Sequence, residues 1–166
     1  ILHLYQEKGR DCVSDLRGMY AFAIWDKNKR ELLIGRDRLG EKPLFLLRRR
    51  TARGAAQVWF CSELSQLLRL IPQEERSLNA QEVAIYLTFQ YGFEPATLVN
   101  GIDALPAATT LRLSPTTLDQ QPQTYWRLFD APRVDLSNPR EQVQALFHQA
   151  CERMGSADVP VGVALS

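Results

Sequence analysis

Apolar residues in this chain fall in short runs of strand length, separated by turn-forming residues, and helical spacing returns only at intervals. Ile1 to Lys8, closed by Gly9, reads as the tail of an amphipathic helix, with Ile1, Leu4 and Tyr5 on one face and Gly9 as a left-handed cap. Asp11 to Leu16 reads as a helical turn leading to Gly18. Met19 to Asp26 and Glu31 to Arg36 flank a polar turn and predict a hairpin. Their nearly continuous apolar character predicts cover on both faces. Pro43 to Leu47 and Ala56 to Cys61 read as a third and a fourth strand, with Arg48, Arg49, Arg50 and Arg53 at a solvated hairpin tip between them. Ser62 stands where a helix cap belongs and Glu63 in the first turn. Leu64, Leu67, Leu68 and Ile71 follow at helical spacing until Pro72.

Asn79, with Glu82 three positions on, predicts a capping box and a helix carrying Val83, Ile85, Leu87 and Phe89, ended by Gly92. Gly101 to Pro106 reads as a turn-rich connector and Thr109 to Leu113 as an exposed edge strand. From Ser114 to Pro139 the composition shifts to Pro, Gln, Asp and Ser, broken only by Tyr125-Trp-Arg-Leu-Phe129, which reads as a domain boundary. Pro139 to Met154 is again helical, with Val143, Leu146, Phe147 and Ala150 on one face. The run from Val159 to Ser166, led by Asp158, reads as a short buried strand. Such a strand needs sheet partners, and ligands gather beyond its carboxyl end in open α/β sheets. The chain is therefore expected to be part of a longer polypeptide, and an Ile in place of an initiator Met at position 1 points the same way.

Composition adjusts this picture only at a few places. Of 166 residues, 45% are hydrophobic and 23% charged, which argues against wholesale disorder. A formal net charge of +1 gives no sign of a nucleic-acid partner. Cys12, Cys61 and Cys151 are scattered, as expected of reduced thiols in a cytoplasmic protein, and His3 and His148 have no partner at ligand spacing, so no metal site is expected. No apolar stretch approaches the ~18 residues that cross a membrane, and Glu7, Lys8 and Arg10 interrupt any signal-like start.

Three segments in fixed order carry a sharper reading. Leu16-Arg-Gly-Met-Tyr-Ala-Phe-Ala-Ile-Trp-Asp26, Gly35-Arg-Asp-Arg-Leu-Gly-Glu-Lys-Pro-Leu44 and Phe60-Cys-Ser-Glu-Leu64 resemble the later half of the class II glutamine amidotransferase domain. The continuation from Leu87-Thr-Phe-Gln-Tyr91 through Gly101-Ile-Asp-Ala-Leu-Pro106 to Tyr125-Trp126 is similar to glutamine-hydrolysing asparagine synthetases. Asp158 to Ser166 resembles the lead-in to their pyrophosphate-binding loop. The resemblance spans essentially the whole chain.

It implies a mixed α+β and α/β architecture: the later part of an Ntn-type αββα sandwich, a linker, then the first helix and strand of a Rossmann-like ATP pyrophosphatase domain. On that scheme residues 1–113 are the C-terminal part of the glutaminase domain, 114–139 the linker and 140–166 the start of the synthetase domain. The family's activity is asparagine synthesis. An N-terminal cysteine hydrolyses glutamine, aspartate is adenylated with MgATP, and ammonia displaces AMP. Glutamine, aspartate and ATP are thus the expected partners, ATP and Mg2+ the expected cofactors, and a homodimer a further expectation from the family. No catalytic residue carries over, because Cys12 and Cys61 are internal and lack a free α-amine. Of the nucleotide loop only Ser166 is present, and Leu165 matches a position whose backbone lies against the nucleotide. These two are the candidate cofactor-binding residues. Met19 matches a position near the lining of an ammonia path, or else it is simply core.

Other residues have local readings. Gly35 lets backbones approach, Asp37 can bond free amides in the following loop, and Gly40 takes a positive φ there. Arg36 and Asp37 are expected to form a structural ion pair holding the loop, a direct catalytic role being the alternative. Leu105-Pro-Ala-Ala108 replaces a usual Pro-Gly turn. The isolated chain is expected to lack both activities and, with sheet edges uncovered, to be poorly soluble. Two other functions fit the same residues: a related amidotransferase or β-lactam synthetase-like enzyme with a different acceptor, and a non-catalytic module that binds a partner through its open sheet.

Overall fold

The computed structural model describes every residue except 52, 119, 131–136 and 163–166. These fall in two compact units, Ile1–Leu128 and Phe129–Ser166. In the first, helix α1 (Leu2–Lys8) and a 3₁₀ turn (Gly9–Ser14) precede the hairpin of β1 (Ala21–Asp26) and β2 (Glu31–Arg36). The polar turn closes because the amides of Asn28 and Lys29 both donate to Asp26 Oδ1 at 3.0 Å and Arg30 takes a φ of 53°. Then come β3 (Phe45–Arg50), β4 (Ala56–Cys61), the short helix α2 (Leu64–Leu68) and helix α3 (Ala80–Phe89). β5 (Ile102–Ala104), β6 (Thr109–Leu113) and the two-residue β7 (Gln123–Thr124) complete the unit.

The strands form two antiparallel sheets, ordered β1-β2-β6-β7 and β4-β3-β5. Alternation puts Ile34, Leu111 and Leu113 of one sheet against Leu46 of the other, with Leu44 and Leu105 closing this core and Leu32 and Val58 at its margin. On the far face of the second sheet, Leu47 and Ile102 pack against Leu67 and Ile71, so α2 covers that face. α1 is fastened to the hairpin by Tyr5, whose hydroxyl donates to Asp26 Oδ2 at 2.9 Å beneath the Lys29 ammonium. The result is an α+β fold of facing antiparallel sheets, compatible with the later part of an amidotransferase sandwich.

Several expectations need correction. β3 runs on through Arg48, Arg49 and Arg50, so the triplet is no solvated tip. Arg48 reaches the carbonyl of Gln120 at 2.9 Å, and Arg49 pairs with Glu75 and the carbonyl of Leu70. The connector at 101–106 contains β5, which aligns with Phe45–Leu47 and is a genuine strand. β6 is not an edge: it lies between β2 and β7, with Thr109, Leu111 and Leu113 buried. β2 is covered on both faces but β1 is not, for Ala21, Ala23 and Trp25 are exposed. Gly9 has φ 60° but ψ −137°, so it is not a left-handed helical cap, and Glu63 rather than Ser62 occupies the cap position of α2.

Asn79 does cap α3, accepting from the Glu82 amide at 3.3 Å, yet the capping box is half made. The Asn79 amide donates to the carbonyl of Leu98 instead, and Glu82 Oε2 is buried without a partner. α3 ends at Phe89, with Gln90 left-handed at φ 54°, before Gly92 is reached.

In the second unit, α4 (Pro139–Gly155) exposes Val143, Leu146 and Phe147. Residues 158–162 are exposed and unpaired, so the buried strand expected there is not formed over its described part. The Rossmann-like start is not evident, as a strand without neighbours has nothing to satisfy its backbone.

Gly35 is explained by packing. A Cβ built on it would stand 2.6 Å from the ring of Phe22, its direct cross-strand neighbour. Gly35→Ala is expected to destabilise the fold by about 1–3 kcal/mol as an overpacking change, and Phe22→Leu in the same chain should recover part of the loss. Urea unfolding of the two variants measures this, and equal stability of Gly35→Ala and the parent would contradict it.

Candidate functional site

Tyr20, residues 36–42, the turn at 105–108 and Tyr125 meet at the end of the β1–β2 hairpin. As the chain leaves β2, successive side chains point oppositely, so Arg36 and Asp37 go to different neighbours and do not pair with each other as expected. Asp37, 1% exposed, accepts four backbone amides: Tyr20 at 3.3 Å, Leu39 at 3.2 Å, and Glu41 and Lys42 at 3.0 Å each. Burial pushes its carboxyl upward, but these amides more than offset that and hold it below its ordinary value. Its own amide donates to the carbonyl of Tyr20 at 2.9 Å, and its carbonyl accepts from Ala108 at 2.8 Å.

Arg36, 4% exposed, serves the opposite side. Nε donates to the carbonyl of Lys42 and Nη2 to that of Gly40, each at 2.7 Å. Nη1 meets the carbonyl of Leu105 and, at 2.8 Å, Glu94 Oε1. Gly40 takes its expected positive φ of 67°, and a Cβ there would crowd Ala107 and the Arg36 guanidinium. In the Leu105-Pro-Ala-Ala108 turn, Ala108 is itself left-handed at φ 53°, a conformation that costs a non-glycine residue roughly 1–2 kcal/mol.

Two tyrosines complete the junction, Tyr20 just before β1 and Tyr125 at the head of the apolar island at 125–129. Tyr125 donates from its hydroxyl to the carbonyl of Arg36 at 2.7 Å, and its amide donates to the carbonyl of Ala108 at 2.9 Å. That hydroxyl has one proton, so in the 2.7 Å contact with Tyr20 it is Tyr20 that donates. Burial raises the pKa of both phenols, and for Tyr125 the Tyr20 contact adds to it. Arg38 lies over the ring of Trp126 and donates to the carbonyl of Ser14 at 3.0 Å.

Chemically this is a lock on several chain segments rather than a set of reactive groups. Asp37 has spent its oxygens on amides, and both phenols are held protonated. Cys12 is buried, and burial pushes its thiol up, away from the reactive thiolate. Among the described residues no group of three His, Cys, Asp or Glu could hold a metal ion. Met19 is 43% exposed and so is not core. Glu63 is exposed at the start of α2, and His3 and His148 are exposed on separate helices. Leu165 and Ser166 lie outside the described residues.

A family model described as a glutamine amidotransferase domain matches residues 1–126, most of the chain. The chain belongs to the glutamine amidotransferase domain family. Its relatives within that family carry a more specific name. It is 32% identical, over all of its length, to "Asparagine synthetase [glutamine-hydrolyzing] 2" of Bacillus subtilis, of which the match covers 23%. It is also 32% identical to a putative asparagine synthetase of Methanocaldococcus jannaschii, covering 32% of that protein. A 46-residue stretch is 56% identical to asparagine synthetase B of Escherichia coli. The chain thus spans a quarter to a third of the curated relatives' length, between 23% and 32% for the first two.

In this amidotransferase-family chain the linkage between Asp37 and folding is testable. A carboxyl held lower in the folded state stabilises that state fully above its unfolded pKa, about 3.9, and loses the contribution as pH falls through the folded value. Asp37→Asn should cost about 1.5–3 kcal/mol near neutral pH, the scale of a hydrogen bond to a charged group. The gap from the parent should narrow below the ordinary carboxylate range. Urea midpoints across pH read this, and a gap independent of pH would refute the assignment.

Proposed function

We propose that this chain is a segment of a glutamine-hydrolysing asparagine synthetase, spanning the later part of its glutaminase domain and the passage into its synthetase domain. In the intact enzyme, glutamine would supply ammonia, and aspartate would be activated as aspartyl-AMP and amidated to asparagine. The observation that carries this reading is the reach of the similarity. The amidotransferase model ends at residue 126, whereas the asparagine synthetases match the whole chain. A stand-alone glutaminase gives no reason for that continuation.

Within this proposal residues 1–113 belong to an Ntn-type αββα sandwich, 114–139 to a linker and 140–166 to the synthetase side. A cytoplasmic location and a homodimer go with the family, and no helix among the described residues is long and apolar enough to cross a membrane. ATP and Mg2+ enter through the relatives alone. The described lead-in at 158–162 is exposed and forms no phosphate cradle, and Leu165 and Ser166 remain proposed nucleotide contacts by resemblance. Met19 is proposed to border the ammonia path, a role that suits an adaptable thioether. The junction around Arg36 and Asp37 would hold the scaffold on which these sites rest.

The 166-residue chain assayed alone should show neither glutaminase activity nor aspartate-dependent ATP–pyrophosphate exchange. The polypeptide encoded by the complete reading frame should release glutamate from glutamine and form asparagine and AMP from aspartate and ATP. Turnover by the isolated chain would overturn the segment reading. AMP formation with another carboxylate but not aspartate would overturn the acceptor.

A further inference from the structure

On one side of the sandwich β5 ends the second sheet and β7 the first. Between them lies a cavity of about 270 Å³, and two charged side chains, Arg48 and Asp103, line it from the second sheet. Register puts both on one face. Arg48 lies opposite Val58 and Asp103 opposite Leu46, and Val58 and Leu46 pack in the core between the sheets. Arg48 is two residues beyond Leu46 on β3, so it is the diagonal neighbour of Asp103, at roughly 7–8 Å between backbones. The two nevertheless form no ion pair, and the exposed Asp103 carboxylate has no side-chain partner among the described residues. The guanidinium is also under-satisfied. Nη2 donates to the carbonyl of Gln120 at 2.9 Å, whereas Nε is buried without an acceptor. A buried donor left unmatched is costly and uncommon in a folded chain.

We infer that this cavity binds a free α-amino acid with an apolar side chain, its carboxylate on Arg48 and its ammonium on Asp103. The two charges exclude simpler ligands. Asp103 repels an inorganic anion and Arg48 repels a bare cation, whereas a molecule carrying both charges satisfies each. The planar guanidinium fork suits a carboxylate in particular. Thr109 donates its hydroxyl proton to the carbonyl of Pro106 at 2.6 Å, so toward a ligand its oxygen can only accept, as an ammonium requires. The rest of the wall is mainly apolar, with Leu46, Pro95, Pro106 and Pro122 available to cover an aliphatic side chain. The prolines bring no amide donor that would compete for the ligand's carboxylate. The volume falls just below the ~300 Å³ at which pockets for drug-sized molecules begin, which fits a ligand of this size. The inference does not rest on the reaction proposed above.

Equilibrium dialysis of the polypeptide from the complete reading frame against radiolabelled L-leucine tests this. L-leucine should bind saturably, one molecule per chain. Asp103→Asn and Arg48→Met should each raise its Kd by about 10- to 100-fold, the scale on which a hydrogen bond to a charged group is lost. N-acetyl-leucine, which lacks the ammonium, and leucinamide, which lacks the carboxylate, should fail to displace it. No saturable binding to the parent would overturn the inference. So would binding that both variants keep, which places the ligand elsewhere, and so would displacement by N-acetyl-leucine as effective as by leucine itself. Asp103 is exposed, so Asp103→Asn reads the site even where Arg48→Met fails to fold. Asparagine formation by the same preparations bears on the assigned reaction alone. Asp103-dependent leucine binding without it refutes the reaction and keeps the site, and activity without leucine binding does the reverse.

Discussion

A single buried carboxylate sets how the pieces of this fold meet. Asp37 accepts amides from the residue before β1 and from three positions of the β2–β3 loop, while its own carbonyl takes the amide of Ala108. Burying an ion is costly unless its lone pairs are filled by donors. Here they are filled by backbone, so neutralising or removing the group would strand several amides at once. Arg36 does the complementary work with carbonyls and with Glu94. Because the two residues point to opposite sides, each can satisfy a different set of backbone groups, an arrangement that a mutual ion pair would have prevented.

The sequence told the regular parts well and the irregular parts poorly, for reasons that can be named. Glu31–Arg36 and Ala56–Cys61 were legible to the residue because apolar runs bounded by polar turns have few alternatives. Asn79 was legible as a cap because its side chain competes for a free helical amide. β5 was hidden, since three residues beside glycine and proline look like a turn until β3 pairs with them. The arginines of β3 looked like a tip because charge suggests solvent, yet long side chains can reach carbonyls from within a strand. The expectation that Asp37 takes free amides of the following loop is borne out, and only the expected ion pair with Arg36 is not formed. Sequence adjacency cannot show that alternation sends neighbours apart. The Tyr20–Tyr125 contact joins residues 105 positions apart, and nothing local encodes it.

It follows that the motifs by which the family is recognised are architectural in this chain. Gly35 makes room for Phe22, Gly40 for the Arg36 guanidinium, and Asp37 gathers amides. None presents a nucleophile, a base or an oxyanion donor to open space. Family membership can therefore be secure while the chemistry is carried elsewhere. Fold and function are separate inferences, and here the first stands on residues present and the second on the length of the relatives.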